Sequence, residues 1–395
     1  MSLPASPRVV IAFHEVVLGG ATRSIVRLIP LLERFGWEFS FWVPKPSELY
    51  DELAERGWDV DGAPRSIEYS LRAWRLAPGP LRRIGSTPAY LRAYRDFLEN
   101  RRPTLVHANS ILTLAEALAA RRSGVPALLH SHEMLPLDPR GRMLRRVAWK
   151  HLDEVVAVST PCAQRLAYKQ RWPRIVHEAS PVPAEAVNLR QRPRPFTVGT
   201  VAVVSKRKGS DLFVEAAQLL SSRNGSGPDF RFEMVGPPSD PVDREWADAV
   251  LARASASGIR HDASADVFER MREWDAFVLP SRSDPFPLSM LEAMASGLPV
   301  IGTRADGIVE QLAEGCGILI DGDDPRGLAD AISDLAEAPL RARAAMGAAA
   351  RERVIANFTL DHQAAQMHEA YESVLSSARA VKALINTYVA VHDPG

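Results

Sequence analysis

Short apolar runs and amphipathic stretches alternate along the first half of the chain. Residues 8–13 form an apolar run that reads as a strand, and Gly19 and Gly20 follow in a loop. Residues 22–35 then space Ile25, Leu28, Ile29 and Leu32 at helical intervals. Residues 38–43 read as the next strand and 47–56 as a helix, with further strands at 105–107, 127–130 and 154–158. Strands spaced by helices pair in parallel, so the pattern predicts a doubly wound sheet. Pro181, Pro183, Pro193 and Pro195 then interrupt both patterns and mark an interdomain linker.

The alternation restarts after the prolines. Strands are predicted at 197–204, 231–235, 276–279, 300–302 and 317–320, and helices at 211–220 and 289–295. Residues 325–375 are rich in Ala, Leu, Arg and Glu and read as helical, and 376–392 as one more helix. The fold class expected is α/β, with two Rossmann-like domains facing a central interdomain cleft. The boundaries are 1–185, 186–375 and a C-terminal tail, 376–395, that packs back on the first domain or elsewhere. In open α/β sheets ligands sit at the carboxyl ends of strands, which places the expected site in that cleft.

Composition narrows the class. A chain of 395 residues suits two domains, and 46% hydrophobic with 24% charged residues is ordinary for a globular protein. No apolar run approaches the ~18 residues of a membrane span. Residues 1–7 lack a basic region and the run after them is too short for a signal core. Two distant cysteines, Cys162 and Cys316, make neither a disulfide scaffold nor a zinc site, so a reduced, cytoplasmic compartment is expected. Net charge is zero, yet residues 1–185 hold 26 Lys and Arg against 19 Asp and Glu, and the remainder 22 against 29. The basic first half either meets something anionic or carries an uneven surface. No nucleic acid partner is expected.

The stretch from Pro280 to Val300 carries the most chemistry. A buried strand ends at Leu279, a Pro/Ser/Asp loop follows, and a helix opens near Leu288, so backbone N–H groups at Leu288 and Ser289 point toward any anion bound there. Asp284 in the loop and Glu292 in the helix are two carboxylates that can hold sugar hydroxyls. Spacing alone favours Asp284 merely capping a turn and Glu292 merely lying on a solvated helix face.

This stretch resembles the signature of the family 4 retaining glycosyltransferases, which have the GT-B fold. Their pattern is Pro-Ser, two residues, Glu-x-Phe-Gly, four residues, Glu-Ala-Met-Ala, then Gly-x-Pro-Val. Pro280, Ser281, Phe286, Glu292, Ala293, Met294, Ala295, Gly297, Pro299 and Val300 match it. Gly19-Gly20-Ala21 resembles the family's donor-phosphate loop, Lys208-Gly209 its Lys-Gly segment, and residues 315–320 its Gly-x-Gly-x-Leu strand, so about residues 8–375 are covered. The resemblance implies a nucleotide-sugar donor bound by Gly19, Gly20, Lys206, Phe286, Pro287, Leu288, Ser289 and Glu292. It implies catalytic roles for His132, Asp284 and Lys208, retention of anomeric configuration, and neither metal nor cofactor.

This chain departs from the pattern at three positions. Asp284 replaces Glu and shortens the carboxylate by a methylene. Pro287 replaces Gly and removes an N–H. Val203 stands where an Arg is common, which leaves Lys206, Arg207 or Lys208 to meet the diphosphate. His132, after the strand at 127–130, occupies the family's sugar-binding histidine position. Glu133 is expected to orient its imidazole, His130 to be either buried or functional, and His107 and Asn109 to line the acceptor side. The acceptor is a glycan, a lipid-linked sugar or a small molecule. Residues 65–102 carry nine Arg with Trp74, Tyr90 and Tyr94, which suits either peripheral contact with the inner membrane face or a helical hairpin with a basic solvent face. A sugar-nucleotide epimerase and a non-catalytic sugar-nucleotide-binding protein are the rival readings.

Overall fold

A computed structural model of the chain describes residues 6–63, 80–189, 195–222, 228–238, 243–313 and 315–392, the side chains of 80–87 and 379–392 excepted. The chain divides into two compact units. One holds the residues up to His177 and those from Leu360 on; the other is Glu178–Thr359.

The first unit runs β1 (Arg8–Ala12), α1 (Gly20–Arg34), β2 (Glu38–Trp42), α2 (Glu48–Glu55), β3 (Asp59–Asp61), α3 (Pro80–Arg101), β4 (Leu105–Ala108), α4 (Leu114–Arg122), β5 (Ala127–Ser131), α5 (Pro139–His151), β6 (Glu154–Ala157), α6 (Thr160–Leu166) and β7 (Arg174–Ile175). The second runs β8 (Phe196–Val201), α7 (Ser210–Ser221), β9 (Phe230–Val235), α8 (Arg244–Ala256), β10 (Arg260–Asp262), α9 (Val267–Met271), β11 (Ala276–Leu279), α10 (Leu288–Ala295), β12 (Val300–Thr303), α11 (Gly307–Gln311), β13 (Ile318–Ile320), α12 (Pro325–Glu337) and α13 (Leu340–Asn357). Helix α14 (Leu360–His392) then returns to the first unit.

Both sheets are parallel throughout. Their orders are β3-β2-β1-β4-β5-β6-β7 and β10-β9-β8-β11-β12-β13. Each is the doubly wound order, in which the chain works outward to one edge and then crosses back. A crevice opens at the carboxyl ends where the direction reverses, between β1 and β4 and between β8 and β11. The central strands are covered on both faces, and so Val9, Val10, Ile11 and Ala12 are all fully buried.

The pattern of apolar residues missed β3, β7 and β10. Each lies at or near a sheet edge, and Asp59, Asp61, Arg260 and Asp262 leave no apolar run to read. The C-terminal boundary also differs. Residues 360–375 were expected in the second domain and 376–392 as a separate helix, but they form one continuous helix, α14. Its Ala364, Met367, Ala370, Tyr371, Val374 and Leu375 are buried in the first unit's core with Ile25, Ile29, Leu32 and Trp37. Trp37 Nε1 donates to His368 Nδ1 at 3.0 Å and the Tyr371 hydroxyl meets His107 Nδ1 at 2.7 Å. An amphipathic repeat specifies a buried face but not the surface that buries it.

Tyr90 and Tyr94 are not membrane-facing. Both are buried on α3 around Trp42, and the Tyr90 hydroxyl accepts from Trp42 Nε1 at 2.9 Å and donates to Glu116 at 2.5 Å. Arg65, Arg72, Trp74 and Arg75, and the side chains of Arg82 and Arg83, lie outside the described residues. Among the described residues no helix is long and apolar enough to cross a membrane.

Met367→Ala is expected to destabilise the first unit by about 2–5 kcal/mol, the cost of a cavity in a packed core. Urea unfolding should show that unit's transition move and the second unit's stay. A shift confined to the second unit would place α14 elsewhere.

Candidate functional site

In the second unit, two loops flank the reversal point of the sheet. One leads from β8 to α7 and carries Lys206, Arg207 and Lys208; the other leads from β11 to α10 and carries Asp284. They pack together through Gly209, whose φ of +68° is left-handed and whose Cβ would fall 1.9 Å from the Pro280 carbonyl oxygen. Only glycine fits there. The approach brings Lys208 Nζ to 2.5 Å from Asp284 Oδ2, and only 14% and 5% of the two side chains remain exposed.

Asp284 is held from every side. Ser281 Oγ donates to Oδ2 at 3.2 Å, and Arg207 stands 3.8 Å from Oδ1. Its N–H donates to Asp306 Oδ2 at 3.0 Å and its carbonyl accepts from Gly307 N–H at 3.0 Å. The Ser283 hydroxyl also donates to Asp306, a non-glycine residue at φ +39°. Burial lowers the pKa of Lys208 and Arg207 lowers it further, while the Asp284 charge works to raise it.

Arg282, in one of the motif's variable positions, was missed by the sequence reading. It grips Asp211 with two bonds of 2.7 and 2.9 Å, donates to Asp323, and reaches the Lys206 carbonyl at 2.7 Å. It therefore staples one loop to the other. Lys206 itself is exposed and engaged through that carbonyl. Val203, in the place of the common Arg, leaves an apolar side chain 42% exposed.

Glu292 is 3% exposed on α10, whose residues Met290–Ala295 are all buried, so the solvated-face reading falls away. The Phe286 ring is 4% exposed and packs edge-on against Phe358 at 5.3 Å, which makes it a packing residue. Pro287 precedes α10 and its carbonyl accepts from Gln311 Nε2 at 3.0 Å. Leu288 and Ser289 open the helix and are partly exposed.

In the first unit, a carboxylate of the chain itself reaches the first turn of α1. Glu15 Oε2 accepts from the Thr22 N–H at 3.2 Å and from its hydroxyl. Gly19 spends its N–H on the Val17 carbonyl at 2.8 Å, and a Cβ there would sit 2.4 Å from Glu15 Oε1. Unpaired N–H groups at a helix start attract whatever carboxylate lies in reach. Glu15 thus stands where the sequence reading placed a donor phosphate beside Gly19 and Gly20.

His132 follows β5, and its orienting partner is Asn109, at the end of β4. Asn109 Nδ2 donates to the Ala21 carbonyl at 3.3 Å, which turns Oδ1 toward His132 Nε2 at 3.1 Å. That oxygen only accepts, so His132 carries its proton on Nε2. Glu133 does not orient the imidazole. Its carboxylate accepts the N–H groups of Ile111 at 3.2 Å and His132 at 3.1 Å and the hydroxyls of Ser131 and Ser110. Behind His132 the rings of His130 and His107 follow at centroid spacings of 4.2 and 5.3 Å. Both are fully buried, so His107 and Asn109 support the site from within rather than line it.

A family model described as Glycosyl transferases group 1 matches residues 192–338, and one described as Glycosyltransferase Family 4 matches residues 18–178. Alpha-maltose-1-phosphate synthase of Mycolicibacterium smegmatis is 30% identical over 365 residues, covering 80% of this chain and 91% of that one. A D-inositol 3-phosphate glycosyltransferase of Frankia alni is 29% identical over 392 residues, covering 84% and 94%. Among solved structures, Anabaena HepE in complex with UDP-glucose matches with a TM-score of 0.73 at 18% identity, over 93% of this chain and 99% of that one. Sucrose-phosphate synthase of Thermosynechococcus elongatus matches with a TM-score of 0.72 at 20% identity, over 94% and 100%. At those identities the structural likeness is one of fold.

Burial pushes His107 down to about 3 and His130 well below its ordinary 6.5, so both are neutral in the folded chain. Unfolding restores ordinary proton affinity. The two histidines' contribution to the first unit's stability is therefore full above pH ~6.5 and is lost progressively as the pH drops below it, by up to about 1.4 kcal/mol per pH unit for each imidazole that stays neutral. Urea unfolding between about pH 7 and pH 5, above most carboxylate titration, should show this slope, and His130→Phe should cut it to about half, leaving the share of His107. A wild-type stability that is level across that range would contradict neutral, buried imidazoles.

Proposed function

The chain belongs to Family 4 of the glycosyltransferases, and from that premise we propose that it transfers a sugar from a nucleotide-sugar to an acceptor hydroxyl with retention of anomeric configuration and without a metal. The observation that carries the reading is the Lys208–Asp284 contact at the reversal point of the second sheet. A cation and a carboxylate fixed side by side suit a reaction that separates charge, with a diphosphate leaving from a sugar that turns cationic. That Anabaena HepE is solved with UDP-glucose supports a nucleoside-diphosphate donor.

In this reading the bond from the anomeric carbon to the phosphate oxygen breaks, and the acceptor oxygen bonds to that carbon on the same face. The acceptor's proton passes to the departing phosphate, so no strong protein base is needed. An ammonium has three N–H donors, and Asp284 takes one of Lys208's. The other two serve phosphate oxygens, and the amides of Leu288 and Ser289 add partial positive charge. Asp284 faces the sugar, and Glu292 holds ribose hydroxyls. His132, its Nε2–H directed to Asn109, makes a sugar contact through the rest of its ring. The acceptor is a hydroxyl of a glycan, a lipid-linked sugar or a small molecule.

Nucleoside diphosphate release, measured across UDP-, GDP-, ADP- and dTDP-sugars, should identify a donor and survive treatment with EDTA. With that donor, Lys208→Ala and Glu292→Ala should each lower kcat/KM by about 100-fold or more, roughly 2.7 kcal/mol of transition-state stabilisation. Normal rates in both variants would overturn these roles. Donor binding with no release by the wild type would instead make the chain a non-catalytic binding protein.

A further inference from the structure

The first unit has a cavity of about 640 Å³ away from the strand ends just described. Helix α5 ends at His151, shortly before β6 begins at Glu154, and the turn at residues 168–171 shortly precedes β7 at Arg174. The cavity lies between the last turns of α5 and that turn, at the amino end of the parallel sheet. His132 follows the carboxyl end of β5, on the opposite side of the sheet.

Four cations line the cavity, Arg146, Lys150, Lys169 and Arg171, together with Trp149 and Tyr168, and no carboxylate does. Several other basic residues of this unit are paired with carboxylates. Arg8 meets Glu38 at 2.9 Å, Lys45 meets Asp61 at 2.6 Å, Arg101 meets Asp59 at 2.7 Å and Arg121 meets Asp153 at 3.1 Å. Among the described residues none of the four cavity cations has such a partner. Like charges gathered round one concavity repel each other and focus a positive potential into it.

The walls are also fixed in place. Trp149 Nε1 donates to the Leu166 carbonyl at 2.8 Å, and the Arg171 guanidinium lies over the Trp149 ring at 5.6 Å while donating to the Trp149 carbonyl at 2.5 Å. Tyr168 and Arg171 exchange two backbone hydrogen bonds of 3.1 and 3.0 Å, closing a turn with Lys169 at φ +55°. A left-handed lysine costs about 1–2 kcal/mol that glycine would avoid, and the hydrogen bonds that close the turn hold it there.

We infer that this cavity binds a phosphate-bearing anion, separately from the sugar-transfer site. Its volume falls in the ordinary range for a small ligand. Arg146 and Lys150 stand one helical turn apart on α5, Lys169 and Arg171 come from the turn at residues 168–171, and the four suit the several oxygens of a phosphate ester or diphosphate. Exposed Met143, one turn before Arg146 on the same helix face, and Trp172 beside Arg171 give the site an apolar surround. The same chemistry would accept a free phosphorylated metabolite or the headgroup of an anionic phospholipid.

The test pairs the wild type with Lys150→Ala/Lys169→Asn. Both side chains are exposed, and asparagine tolerates the left-handed backbone, so the turn is kept. Calorimetric titration with inorganic pyrophosphate reports a free-anion site, and co-sedimentation with phosphatidylglycerol vesicles, against phosphatidylcholine, reports a headgroup site. At least one probe should bind the wild type saturably and bind the double variant about tenfold or more weakly, with nucleoside diphosphate release and thermal midpoint unchanged. Equal binding by both proteins would place the anion elsewhere, and no binding of either probe to the wild type would overturn the inference.

Discussion

Lys208 and Asp284 touch because Gly209 has no side chain. The carbonyl of Pro280 fills the space a Cβ would need, so the loop after β8 lies directly on the loop after β11. Arg282 then locks the two together through Asp211 and the Lys206 carbonyl. This contact also explains how an Asp can stand in a Glu position. The shorter carboxylate loses reach, but the loops bring the ammonium to it, and Ser281, Asp306 and Gly307 hold it there. The carboxylate is therefore ordered before any ligand arrives, with little side-chain entropy left to lose.

The first unit prepares its histidine differently. His132 is aligned by a neutral amide, Asn109, which is itself anchored on the backbone of α1 at Ala21. Behind it, two buried imidazoles remain neutral, and His107 leans on Tyr371 from α14. The helix that ends the chain therefore bears on the same strand ends that present His132. Helix α14 is accordingly part of the first unit's core and cannot be treated as an appendage.

Glu15 shows why motif and geometry must be read together. Gly19-Gly20 before a helix is a ready anion site, yet the anion beside it belongs to the protein. The signal for this in the sequence is a carboxylate, Glu15, four residues ahead of the glycine pair. In the sheet-edge cavity, by contrast, cations gather without any carboxylate, and nothing in their sequence spacing announced it, because Arg146 and Arg171 lie on different elements.

The sequence by itself determined the doubly wound alternation, the central strands, the position of the motif loop and the family. Each of these is local, since apolar periodicity, prolines and short spacings all act within a few residues. It also singled out Lys208, Asp284 and Glu292 by type and place. Only the tertiary structure decided that Lys208 meets Asp284, that Asn109 rather than Glu133 aligns His132, that Phe286 packs and that residues 360–375 join the first unit. Those outcomes depend on which distant segments the topology brings together. Periodicity says that a face is buried, and a polar residue says that a partner is needed, but neither says which surface or which atom will supply it.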